Sequence, residues 1–135
     1  MTRWLAFALV LPLSTTLVGM TPPSDAPAKP KLVLVKAVDV SATEFKWEPA
    51  LITVSPGDTV RFEQTTTTPH NVEFKAAPAG AELGEAKMGP FLVTAGEHYD
   101  IVIDKRFTAG LYQYVCTPHE VMGMKGSITV GAAGK

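Results

Sequence analysis

Towards its C-terminal end the chain reads Tyr114-Val115-Cys116-Thr117-Pro118-His119-Glu120-Val121-Met122-Gly123-Met124-Lys125-Gly126. This stretch holds the single cysteine, one of three histidines and two of five methionines. Cys-x2-His-x4-Met brings a thiolate, an imidazole and a thioether into one tight loop. Such donors suit a soft or borderline ion, above all copper cycling between Cu(I) and Cu(II). A lone cysteine is ordinarily a small buried hydrophobe, and methionines ordinarily fill gaps. That reading leaves the coincidence of three donor types unexplained.

A three- or four-coordinate site needs a further donor, and only His70 and His98 remain. His70 lies at a loop–strand junction in Thr68-Pro69-His70-Asn71-Val72, where a sheet can hold a side chain that points out of its end. His98 sits in Glu97-His98-Tyr99-Asp100-Ile101-Val102-Ile103. Alternation there turns Tyr99, Ile101 and Ile103 to the core and His98 to solvent with Asp100. His70 is therefore the expected donor. Met122 and Met124 share one parity, so alternation cannot choose between them.

The elements that must position these residues are strands. Lys31 to Val40 is Val-rich, and Leu51 to Val54 runs into the turn Ser55-Pro56-Gly57-Asp58. Asp58 to Thr65 alternates Val60 and Phe62 against Arg61 and Glu63. His70 to Lys75 does the same with Val72 and Phe74. Ala76 to Pro90 reads as a long loop holding at most one helical turn. Phe91 to Thr94, Glu97 to Ile103, Leu111 to Val115 and Ser127 to Val130 complete the set. Seven or eight short strands at this spacing predict an all-β domain, a sandwich or small barrel. No sustained amphipathic helix and no repeat is visible.

Composition narrows the function classes. Twelve Lys+Arg against thirteen Asp+Glu leave a net charge of −1, which gives no footprint for nucleic acid. One cysteine excludes an internal disulfide framework and a four-cysteine zinc site. Arg3 precedes an apolar run from Trp4 to Leu13, then Ser14 to Thr16 and Leu17 to Met20, the pattern of an export signal. Residues 1–20 are expected to be that signal, with cleavage anywhere up to Ala28. The prolines of residues 21–30 read as a semi-rigid linker, 31–130 as the folded domain and 131–135 as a tail. The expected location is the periplasm or an equivalent extracytoplasmic compartment, with no stable membrane insertion after cleavage.

The pairing of Pro69-His70-Asn71-Val72 with Cys116-Thr117-Pro118-His119 and Met124 resembles the cupredoxins, the small blue copper proteins, and within them the plastocyanin–pseudoazurin group. The likeness covers Lys31 to Val130, including Ile52-Thr53-Val54 and Gly57-Asp58-Thr59-Val60. It implies a Greek-key β-sandwich with one type 1 copper held by His70, Cys116, His119 and Met124. The family spacing selects Met124 as the axial donor and leaves Met122 on the surface. Asn71 is implied to support the site by hydrogen-bonding the cysteine loop. The implied function is one-electron transfer by a monomer to transient redox protein partners, with the edge of His119 as the exit, framed by Pro118, Val121 and Met122. A periplasmic copper carrier or store is the alternative. An enzyme is not expected, because a second copper site would need more histidines than the chain has. The chain also departs from plant plastocyanins: Val115 stands where they have a tyrosine, and Glu82 and Glu85 are offset by Lys75 and Lys87.

Overall fold

The computed structural model describes residues 29–132, so the expected signal, most of the linker and most of the tail lie outside it. Eight strands are laid down in order: β1 (Leu32–Asp39), β2 (Phe45–Glu48), β3 (Leu51–Val54), β4 (Thr59–Gln64), β5 (Glu73–Ala76), β6 (His98–Val102), β7 (Gly110–Val115) and β8 (Lys125–Val130). They form two four-stranded sheets, β2-β1-β4-β6 and β3-β8-β7-β5. β1 runs parallel to β4 and β3 parallel to β8; the remaining pairs are antiparallel. This is the β-sandwich that the resemblance implied.

Period-two alternation decides which residues meet between the sheets. Val35, Ala37, Trp47, Val60, Phe62 and Ile101 come from the first sheet, and Ile52, Val54, Phe74, Tyr112, Tyr114, Ile128 and Val130 from the second; all are buried. Trp47, Phe62 and Tyr114 pack edge-to-face at centroid separations of 5.2 to 5.8 Å. Each such pair adds about 0.5–1.5 kcal/mol to the burial of its apolar surface. The interior is thus an aromatic cluster. It continues to His70, whose ring lies 6.3 Å from that of Trp47.

Three sequence expectations need correction. Phe45–Glu48 is a strand that the sequence reading passed over, although Phe45 and Trp47 alternate with Lys46 and Glu48. Phe91 to Thr94 is not a strand: only Leu92 pairs, bridging His70. The next bonded pair along that bridge would set Val72 against Pro90, and Pro90 has no N–H to give. Gly89 donates to the Val72 carbonyl instead, at 2.8 Å. For the same reason β5 starts at Glu73 rather than His70, since residues 70–72 are engaged with Gly89 and Leu92 before β7 becomes their neighbour.

Candidate metal centre

Two segments meet at one end of the sandwich. His70 follows Pro69 and is clamped through its backbone, donating to the Leu92 carbonyl at 3.1 Å and accepting from the Leu92 N–H at 2.8 Å. The second segment leaves β7 at Val115, passes through Cys116 and makes a short 3-10 helix over Thr117–Met122. Pro118 suits that start, because an unpaired first-turn N–H is no loss there. Gly123 ends the turn in the left-handed region, φ 86°, which an L side chain would resist. That reversal returns the chain so that Cys116 N–H donates to the Met124 carbonyl at 3.0 Å and Met124 N–H to the His119 carbonyl at 3.1 Å. The three residues are therefore locked together by their own backbone.

The donor atoms converge. Cys116 Sγ lies 3.5 Å from His70 Nδ1 and 3.3 Å from His119 Nδ1, and the two Nδ1 atoms are 3.1 Å apart. Edges of this length are what nitrogen and sulfur donors at about 2.0–2.3 Å from one ion subtend. His70, Cys116 and Met124 have no exposed surface, and His119 retains 8%. Met122 is 46% exposed, so burial separates the two methionines where sequence parity could not. Pro118 and Val121 are also exposed, beside His119 in the same turn. His98 lies on β6 opposite Glu63, exposed and outside the donor group.

Asn71 joins the two segments. Its Oδ1 accepts from the Thr117 N–H at 2.9 Å, and its Nδ2 donates to Thr117 Oγ1 at 3.0 Å. The Thr117 hydroxyl passes the connection on to Glu73, which also pairs with Lys75; Lys75 reaches Glu120 in turn. Two supporting residues escaped the sequence reading. Asp39 sits beside the outer nitrogen of His70, Oδ1 to Nε2 2.8 Å. Phe45 stacks on the His119 ring at 4.0 Å and 25°. The signals were present: an acidic residue on the inward parity of β1, and an unassigned inward aromatic in β2.

Burial disfavours the charged forms of Cys116 and His119. Burial pushes the Cys116 thiol up, backbone N–H groups of Asn71 and His119 oppose the rise, and Asp39 adds to it. Burial lowers the His119 imidazole, as does the charge of His70, against a raising influence from Asp39. Burial raises the Asp39 carboxyl, but hydrogen bonds from Thr68, His70 and Thr66 outweigh it and hold the group below the usual range. A neutral imidazole is already in the metal-binding form, whereas the thiol must give up a proton.

A soft thiolate, two imidazoles and a buried thioether at the end of a two-sheet sandwich define a cupredoxin-type copper protein, and the cluster fits a single type 1 copper site. Comparison with known proteins agrees. Residues 34–131 match the family model for copper binding proteins of the plastocyanin/azurin family, and the chain belongs to that family. It is 36% identical to plastocyanin of Prochlorothrix hollandica over 125 residues, 92% of each chain. With plastocyanin of Scenedesmus fuscus the identity is 38% over 86 residues, 62% of this chain and 85% of the other. Oxidised plastocyanin from Dryopteris crassirhizoma superposes with a TM-score of 0.61 at 34% identity, over 73% of this chain and all of that one. Pseudoazurin from Methylobacterium extorquens gives 0.54 at 31%, covering 74% and 75%.

Proposed function

We propose that this protein carries single electrons between redox partners through a type 1 copper held by His70, Cys116, His119 and Met124. The observation that carries this reading is the buried Sγ–Nδ1–Nδ1 triangle, with edges of 3.1 to 3.5 Å, in a chain of the plastocyanin/azurin family. Bound copper supplies the chemistry, one-electron cycling between Cu(I) and Cu(II). The protein's part is to hold the donors still. His70 is fixed by Leu92 and Asp39, Cys116 by the Met124 carbonyl, and His119 by the Phe45 face. Complete burial of Met124 supports it as the fourth donor, with Met122 assigned to the surface.

His119 is the donor with residual exposure, and we assign its edge as the electron's exit. Pro118, Val121 and Met122 would frame the contact with a partner. Val121 is 92% exposed, an apolar side chain standing free beside the exit. A weak, largely apolar encounter at or below ~1,200 Å² suits a carrier that must also let go. We read the chain as a monomer and not an enzyme: apart from the two donor histidines only His98 remains, exposed on β6, too little for a second copper site. The alternative of a copper store gains no support from the plastocyanin relatives. Among the described residues no helix is long and apolar enough to cross a membrane. An extracytoplasmic location rests on the Arg3 to Met20 pattern and is checked by N-terminal sequencing of the secreted product.

The deciding experiment is an optical spectrum of the copper-loaded protein. An intense blue thiolate-to-Cu(II) band, bleached on reduction and missing in Cys116→Ser, is expected. Equal intensity in that variant would remove Cys116 from the ligand set.

A further inference from the structure

The inward face of β1 carries an acidic residue where its pattern asks for an apolar one. Val33, Val35 and Ala37 share their parity with Asp39, the last residue of the strand. Asp39 is the cross-strand partner of Phe45, so the end of the first hairpin touches both imidazoles of the centre: Asp39 the outer nitrogen of His70, Phe45 the face of His119. The His70 side chain is completely buried and that of Asp39 is 20% exposed, so their 2.8 Å contact is largely shielded from water. Nδ1 of the same ring faces Cys116 Sγ and His119 Nδ1. An imidazole that offers Nδ1 to a metal carries its proton on Nε2, and a carboxylate receiving that proton's hydrogen bond fixes both tautomer and ring orientation. Thr68 donates its hydroxyl to the other Asp39 oxygen, which holds the carboxylate in place.

We propose that Asp39 is a positioning residue: it locks His70 with Nδ1 towards the centre, and its negative charge, one imidazole ring away, favours the oxidised over the reduced state. This rests on His70 being a copper ligand. The physical reason is that a fixed anion stabilises the more positive of two states, and a partly buried one is screened little by salt. A carboxylate that merely satisfied a buried ring N–H would orient His70 equally well and leave the redox balance alone.

Asp39→Asn separates the two, because its amide oxygen still accepts from Nε2 while the charge is gone. At a fixed applied potential, the ratio of reduced to oxidised protein should rise threefold or more, about 28 mV for a one-electron couple. Asp39→Ala should shift the ratio the same way and also weaken copper binding by tenfold or more. Asp100→Asn, which removes the same charge on β6, serves as the control. A shift under threefold in Asp39→Asn, an equal shift in Asp100→Asn, or a loss of copper affinity under tenfold in Asp39→Ala overturns the proposal. His70→Gly is measured alongside. If it keeps the parent's blue band, the ligand reading has failed; if it loses the band while Asp39→Asn leaves the ratio unmoved, only the role of Asp39 has.

Discussion

Asn71→Ala cuts the tie between the segment bearing His70 and the loop bearing Cys116 and His119. The residue is 2% exposed, and its side chain makes two hydrogen bonds to Thr117, one to its backbone N–H and one to its hydroxyl. Each contributes about 0.5–1.5 kcal/mol net, so truncation should cost about 1–3 kcal/mol. For a domain of this size each kcal/mol lowers Tm by about 4–8 °C, and the copper-free variant should melt about 4–24 °C below the copper-free parent. Thr117→Val removes the hydroxyl with its bonds to Asn71 and Glu73 but keeps the backbone N–H bond; the Glu73 bond is exposed and worth little, so this variant should cost less than Asn71→Ala. In a double-mutant cycle followed by circular dichroism, the coupling between positions 71 and 117 should be about 1 kcal/mol, the worth of the one bond both changes remove. Full additivity would refute the reasoning, since the two side chains would then stabilise the protein independently.

Other consequences are as direct. Met124→Gln offers an amide oxygen, a harder donor that favours Cu(II), so the reduction potential should fall; Met124→Leu should raise it, and matching changes at Met122 should move it by much less than the ~59 mV of a tenfold shift. Voltammetry showing the shifts at position 122 and silence at 124 would exchange their roles. Gly126→Ala would set a Cβ 2.4 Å from Tyr114 Cζ and Oη and 2.8 Å from the Ala50 carbonyl oxygen, and the backbone atom cannot swing away. A loss of about 1–3 kcal/mol, read as a lower urea midpoint at unchanged slope, is expected. Asp100 is held below the usual carboxylate range by hydrogen bonds from the Arg61 guanidinium, its partner across β4 and β6. A depressed folded-state value means stability present above the unfolded value of about 3.9 and lost as pH falls through the folded one. Asp100→Asn should therefore lose under about 1 kcal/mol at neutral pH and show a shallower acid limb in pH-dependent unfolding.

How much of this was legible beforehand depended on whether one local pattern or two distant segments carried the information. The strands around Val60 and Phe62, or Ile101 and Ile103, announced their buried faces by alternation alone. The loop from Cys116 to Met124 announced its donors by residue type. The single bridge at His70 did not, because its limit is set by Pro90, twenty residues away and on another segment. Choosing between Met122 and Met124 failed on parity for a similar reason: Gly123 turns the chain between them in a conformation outside the strand pattern. Asp39 was missed because an acidic strand residue reads as solvent-facing until something inward is known to need its charge.

The position of the first hairpin bears on how little the centre can move. Ligands on a flexible loop alone would be free to follow the metal's preferred geometry, and fast electron exchange needs the opposite. Here His119 lies in the 3-10 turn Thr117–Met122, yet its ring is stacked on Phe45, a residue of the sheet, and its carbonyl receives the Met124 N–H. Phe45 in turn pairs with Asp39, which holds His70, and Trp47 of the same strand packs against His70 and the aromatic core. Displacing either imidazole would therefore disturb β2, and displacing β2 would open the contacts of Trp47 with Phe62 and Tyr114. The donor on the exposed turn is thus tied to the aromatic core, and the site is held by packing that the fold needs in any case.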